Sequence, residues 1–192
     1  MSSAISPIQL LQLIESRQTN GKLVEPAPRN LEVEQVIQAA LSAPDHRRIR
    51  PWRFMQLRGT AREKLGQIFS ECLTESGVDD PEQHRKVMAQ PLRAPLIIIA
   101  IVKTQTNVNV PIVEQVLSMG AAIQNSLLQL TAQGYASIWR SGTLAESLLL
   151  KQKMGLEPED VIAGFIYIGT AAKQLPPRLP LVVSDFLTDW PA

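Results

Sequence analysis

Three short segments of the sequence set an arginine beside a hydroxyl residue. They are Ser16-Arg17-Gln18-Thr19, Ser42-Ala43-Pro44-Asp45-His46 running on through Arg47, Arg48 and Arg50 to Trp52, and Trp139-Arg140-Ser141-Gly142. A guanidinium offers a planar fork of donors and a Ser or Thr hydroxyl a short directional one, which together suit phosphate oxygens. Taken singly, each segment reads more readily as a solvated turn or helix end. No GxSxG elbow, Walker A loop or GxGxxG fingerprint occurs, and the ten glycines are scattered. A nucleotide bound here would be held by side chains and helix ends rather than by a glycine-rich turn.

Composition narrows the chemistry further. The chain has 192 residues and a formal charge of +1, so no bulk field points to nucleic acid or an anionic membrane. The dense basic patch from Arg47 to Arg53 is too short to carry a nucleic-acid reading. One cysteine, Cys72, excludes an internal disulfide and a multi-thiolate metal site. His46 and His84 have no metal-ligand spacing, so no metal is expected. Cys72 falls on an amphipathic helical pattern and reads as a small buried apolar residue. Met1-Ser2-Ser3-Ala4 lacks the charged and apolar regions of a secretory signal, and the run Pro95 to Val102 is too short to cross a bilayer. A cytoplasmic protein without membrane partners is the expectation.

The elements that must position these segments follow from periodicity and punctuation. Ser6-Pro7-Ile8-Gln9 is a capping box with Pro at the first helical position, opening a helix to about Ser16. Glu25-Pro26-Ala27-Pro28 forces an extended connection. Asn30 is expected to cap a helix ending by Pro44. Trp52 to Leu57 reads as a strand, and Thr60-Ala61-Arg62-Glu63 as a second capping box for a helix to Ser76. Pro81 to Gln90 reads as a polar helix. Pro95 to Val102, rich in β-branched residues, predicts a strand buried on both faces. Val110 to Gln133 is the longest helical pattern, stopped by Gly134. With hardly any charge beyond Glu114 it should be buried all round, most simply at a subunit interface. Tyr135 to Arg140 predicts a strand, Leu144 to Met154 a helix, and Val161 to Gly169 a buried strand. The Pro-rich tail holds one more strand-like piece, Leu181 to Phe186. Such a tail can lie over its own subunit or leave it and add to a partner's sheet edge. Helices and strands mix around one sheet, which makes the class α/β or α+β.

The same segments carry a specific resemblance. Ala43-Pro44-Asp45-His46 with Pro51-Trp52-Arg53-Phe54 resembles a motif of the nitroreductase family, and in particular its short YdjA-like branch. Arg17-Gln18-Thr19 is similar to the family's Arg-Arg-Ser motif after the opening helix. Gly120-Ala121-Ala122, Ala132-Gln133-Gly134 and Trp139-Arg140-Ser141-Gly142 resemble its long central helix, glycine stop and W-R-[ST]-G. Val161 to Gly169 is similar to its late buried strand. Order and spacing agree from about Leu10 to Gly169.

The resemblance implies an α+β fold, nitroreductase-like, with a central mixed or antiparallel-rich sheet flanked by helices. It implies one domain over 1–192, an intertwined homodimer with FMN at the subunit interface, and a tail from about 173–192 exchanged onto the partner. It places Arg17, Gln18 and Thr19 on the cofactor, with Arg17 and Thr19 taking phosphate. Ser42 and His46 would approach the flavin from the partner subunit. Trp139, Arg140 and Ser141 also meet FMN, with Arg140 as another phosphate anchor. NAD(P)H is implied near Gln129, Leu130, Thr131, Ala132, Gln133 and Gly134. Gln18 and Thr19 depart from the family motif, and Gly21 stands where a basic residue is frequent, with Lys22 one step later as a substitute near flavin N1 and O2.

The activity implied is NAD(P)H-dependent ping-pong hydride transfer through flavin N5 to a small electron-poor acceptor, such as a nitro compound or quinone. No catalytic side chain is assigned, because the cofactor carries the chemistry. A dehydrogenase on the same fold and a non-catalytic flavin-binding or interaction protein are the alternatives.

Overall fold

The computed structural model describes residues 5–190. The opening Met1-Ser2-Ser3-Ala4, considered above for a signal, and the last two positions of the tail lie outside them. The centre of the sheet is set by the two most apolar segments. β3 (Leu96–Val102) is buried at every position, and β5 (Val161–Ala171) is buried through most of its length. Strands that read as continuous β-branched runs cannot face water on either side. β3 and β5 pair antiparallel, β2 (Trp52–Arg58) pairs with the other edge of β3, and β4 (Ala136–Arg140) pairs with β5. A two-residue strand, β1 (Leu23–Val24), joins the end of β5 opposite Thr170 and Ala171. All five strands pair antiparallel, in the order β1-β5-β3-β2 with β4 on β5, so β2 is an edge strand.

Helices cover both faces. α5 (Ile112–Ala132) and α2 (Asn30–Ala40) pack on one side, where Met119, Ile123, Leu127 and Leu130 meet Leu96, Ile98 and Ala100. α3 (Thr60–Glu75), α4 (Pro81–Ala89) and α6 (Leu148–Lys153) cover the other, where Leu65, Phe69 and Leu150 meet Ile97, Ile99 and Phe165. Cys72 is buried in this second layer and accepts a hydrogen bond from Ser147 Oγ at 3.2 Å. His84 ties α4 to α3, with Nδ1 2.7 Å from Ser70 Oγ and Nε2 2.9 Å from the Val78 carbonyl. Gly134, at φ 83°, ends α5 as its left-handed stop.

Several local expectations need correction. The Ser6 capping box on α1 (Pro7–Ser16) is present, but Thr60 is the first residue of α3 and Gly59, at φ 51°, precedes it without a side-chain cap. Asn30 likewise lies inside α2, behind Arg29 and a reciprocal bond with Glu32. The expected helix from Leu144 divides into a 3-10 turn, Thr143–Glu146, and α6, because Ser147 caps α6 with its own hydroxyl. Leu181 to Phe186 is no strand within this chain; it holds only a short 3-10 turn, Val183–Asp185, since no sheet edge of its own subunit lies beside it.

Burial of α5 is one-sided within the subunit. Val113 and Leu117 are exposed, the latter 66%, and a Cβ on Gly120 would meet nothing. None of the α1 residues is buried, although Ile8, Leu10, Leu11 and Ile14 are apolar. The tail adds Leu179, Leu181, Phe186, Leu187 and Trp190, the last 93% exposed. So large an apolar area is unusual for a monomer.

Candidate functional site

The segment after α1 is extended from Arg17 and runs beside β4. Thr19 bridges Ser137, and the Asn20 amide donates to the Ser137 carbonyl at 3.0 Å. The root of the tail lies against the same segment. Ala172 N–H donates to the Lys22 carbonyl at 2.9 Å, Asn20 Nδ2 to the Lys173 carbonyl at 2.9 Å and Gln18 Nε2 to the Pro176 carbonyl at 2.9 Å. Arg178 donates from its guanidinium to the Arg17 carbonyl. The tail therefore lies over its own subunit as far as Arg178; beyond that point every described residue is exposed.

This pairing brings two guanidiniums together. Burial and the neighbouring Arg178 charge both press the Arg17 pKa below its ordinary value. Among the described residues, no carboxylate forms a salt bridge with Arg17, Arg140 or Arg178. Two adjacent cations lacking a counter-charge are an anion site in waiting. Arg178 is the residue that sequence reasoning missed; its one signal is a basic residue in an otherwise apolar, Pro-rich tail.

β4 delivers the third segment. Trp139 Nε1 donates to the Ala163 carbonyl at 3.0 Å. That contact depends on a bulge: Ala100 faces Gly164 and Ile101 faces Ile162, leaving Ala163 as the extra residue. Gly164 sits at φ 149°, and a Cβ there would collide with the Trp139 indole and the Arg140 carbonyl. Glycine is thus required for Trp139 and Arg140 to lie where they do. Arg140 then projects over the Tyr167 ring, 5.9 Å from its centroid, and toward Gly21. Ser141 is exposed beside them.

The end of α5 borders this region. Ser16, Gln18, Asn20, Thr131, Tyr135 and Gln174 line an open cleft of about 260 Å³. Of the six residues expected to meet a nicotinamide cofactor, Gln129 and Gln133 are half-buried and Ala132 and Gly134 exposed. Leu130 is wholly inside the core. Thr131 Oγ1 donates to the Leu127 carbonyl at 2.8 Å, and Gln133 Nε2 to the Glu32 carbonyl at 3.1 Å.

Ser42 and His46 lie elsewhere. His46 Nδ1 is 2.5 Å from Glu114 Oε2, at the opposite end of α5. Seventeen helical steps lead from Glu114 to Thr131, roughly 26 Å at the helical rise. The chain therefore brings the first and third arginine segments together and holds the second apart. That second segment is fixed by Trp52 Nε1 donating to Ser118 Oγ at 3.0 Å, by Ser118 Oγ donating to the Pro44 carbonyl at 2.5 Å, and by Asp45 accepting from Ile49 and Arg50 amides. Arg47, Arg48 and Arg50 all adopt φ between 54° and 58°, a left-handed conformation that costs about 1–3 kcal/mol per non-glycine residue.

The fold and the ordered segments define a known class: the chain belongs to the nitroreductase family, whose model matches residues 15–170. It is 36% identical over 160 residues, covering 83% of this chain and 87% of the relative, to the Escherichia coli (strain K12) protein named "Putative NAD(P)H nitroreductase YdjA". A nitroreductase-like family protein from Bacillus cereus has the same fold, with TM-score 0.83 and 20% identity over 99% of this chain and 98% of that one. A nitroreductase from Bacteroides fragilis, solved with bound FMN, matches with TM-score 0.72 and 16% identity over 95% and 99% of the two chains. Among the described residues no helix is long and apolar enough to cross a membrane.

Proposed function

We propose that this protein is an FMN-dependent NAD(P)H oxidoreductase of nitroreductase type, acting as a cytoplasmic homodimer of one domain per chain. The observation that carries the reading is the neighbouring pair of cations, Arg17 and Arg178, without a carboxylate partner among the described residues. Family membership and the FMN-bound relative support it.

The residues present fit a flavin mononucleotide. Arg17, Thr19 and Arg178 would hold its phosphate, and Gln18 keeps the tail in place behind them. Trp139, Arg140 and Ser141 approach from the end of β4. The last turn of α5 and the stop that follows it, Gln129 to Gly134, would receive NAD(P)H, with Leu130 contributing only backbone. Ser42 and His46 are too distant to serve the flavin of their own subunit and would serve the partner's. When bound, FMN supplies hydride transfer at N5, from NAD(P)H to a small electron-poor acceptor in ping-pong order. The protein's part is binding, orientation and electrostatics; no side chain is asked to be a nucleophile.

The exposed apolar face of α5, α1 and the tail beyond Arg178 support the dimer. The receiving surface would be the free edge of β2, where Val33, Ile37, Leu41, Trp52 and Phe54 line an open groove of about 820 Å³. A partner's tail can pair with such an edge and cover it.

The test is spectroscopic. Purified protein, or protein reconstituted with FMN, should be yellow and should oxidise NAD(P)H with nitroaromatic and quinone acceptors. A colourless protein that takes up no FMN overturns the reading; stoichiometric FMN without turnover leaves a flavin-binding protein.

A further inference from the structure

The register of β2 on β3 decides which backbone groups the free edge of β2 offers. The Lys103 amide donates to the Pro51 carbonyl at 2.7 Å, and pairing continues in step from Trp52 opposite Val102 to Arg58 opposite Leu96. In an antiparallel pair, residues that bond to the neighbouring strand alternate with residues whose amide and carbonyl point away from it. Pro51, Arg53 and Met55 therefore face β3. Trp52, Phe54 and Gln56 turn their backbone groups to the open edge, where no further strand lies among the described residues.

The first of these rungs is already taken. Arg53 folds its side chain over the edge, and its Nη1 donates to the Trp52 carbonyl at 2.7 Å and to the Arg50 carbonyl at 3.1 Å. Among the described residues nothing bonds to the backbone of Phe54 or Gln56 from that side. Phe54 and Gln56 also line the groove of about 820 Å³, with Val33, Ile37 and Leu41 of α2 as its apolar wall. A strand laid on this edge meets a guanidinium at Trp52 and open rungs from Phe54 onward.

The tail suits that edge in pattern and in charge. With a period of two, Leu179, Leu181 and Val183 share one face of an extended tail, and all three are exposed on their own subunit. Beyond Arg178 the tail carries Asp185 and Asp189 and no cation. Arg53 has no carboxylate partner among the described residues.

Resting on the tail exchange proposed above, we infer that Arg53 is the register stop of the dimer. It blocks pairing at Trp52, so that the tail of a second copy adds to β2 from Phe54 onward and seats Leu181 and Val183 in the groove. The same cap denies a long, continuous edge to unintended strands, a hazard that edge strands must manage.

Residue-resolved amide hydrogen exchange on the full chain tests the stop. In the wild-type dimer, Phe54 and Gln56 should exchange at least about tenfold more slowly than Trp52, although no bond within the subunit protects them. Met55, paired with Ile99 of β3, should be slow throughout. Val183→Asp, at a position 69% exposed, should release Phe54 and Gln56 and leave Met55 slow. Arg53→Thr should slow Trp52 as the ladder gains a rung. A dimer in which Phe54 and Gln56 exchange as fast as Trp52, in which Trp52 is as slow as they are, or in which Arg53→Thr leaves Trp52 unchanged overturns the stop. In a Cys72→Ser background, Phe54→Cys should form an intersubunit disulfide with Leu181→Cys or Val183→Cys and not with Val182→Cys; the reverse pattern overturns the seating of the tail. If wild type is a monomer, the exchange reading itself fails and the register stop falls with it.

Discussion

The Arg178 guanidinium donates to the backbone carbonyl of Arg17, joining positions 161 residues apart. The bond brings a second cation beside Arg17 and ties the root of the tail to the segment that follows α1.

Arg178 and Arg17 should matter to FMN and not to riboflavin. A hydrogen bond to a charged group contributes about 1.5–3 kcal/mol, so Arg178→Ala and Arg17→Ala should each weaken FMN binding roughly 10- to 100-fold. Titration by flavin fluorescence, with riboflavin as the control, checks this. An equal loss for both flavins would remove these residues from the phosphate.

The tail divides at Arg178. A chain ending after Arg178 keeps the contacts of 172–178 and loses Leu179, Leu181, Phe186 and Trp190. It should appear as monomer or aggregate in light scattering after size-exclusion chromatography. An intact dimer would refute tail exchange. Leu117→Glu, on the exposed face of α5, should also disrupt the dimer while leaving the core of the subunit alone.

Gly164→Ala should be costly. The new methyl meets the Trp139 indole and the Arg140 carbonyl, and alanine resists φ 149°. Overpacking of this kind costs about 1–3 kcal/mol. A lower Tm together with weaker flavin binding is expected; unchanged values for both would show that β4 can shift without consequence.

Asp160 ties pH to stability. It is buried and accepts from Lys103 Nζ at 2.8 Å, Glu157 N at 3.0 Å and Thr104 N at 3.2 Å. Burial pushes its pKa up, but the Lys103 and amide contacts outweigh it and leave the carboxyl below its ordinary value. A depressed folded pKa means that the stabilisation is fully present above the ordinary carboxylate range and is lost as pH falls through the folded value. Asp160→Asn should therefore destabilise at pH 7, by about 1–3 kcal/mol, and the gap from wild type should close in acid. Urea unfolding at several pH values measures it; a pH-independent gap would contradict the mechanism.

Much of this molecule was legible because its strongest signals are local. The β-branched run ending at Val102, the apolar strand from Val161 and the Gly134 stop need only nearby residues to be understood. β1 was missed because two residues, Leu23 and Val24, carry no periodicity. The Thr60 box misled because Gly59 takes the turn at φ 51° and places Thr60 inside the helix. At the candidate site, Arg17, Thr19, Trp139 and Arg140 stood out in the sequence through arginine-hydroxyl spacing. Arg178 did not, because its significance arises from a contact across nearly the whole chain. The separation of His46 from Arg17 was equally invisible, since it depends on which end of α5 each segment meets.

Arg17 and Arg178 lie 161 residues apart, so a nascent chain acquires the pair only when synthesis has passed residue 178. The central strand β5 and the tail leave the exit tunnel last, so sheet and cation pair are completed together at the end of synthesis. If the pair holds the FMN phosphate as proposed, cofactor capture comes late and cannot assist the earlier steps of folding.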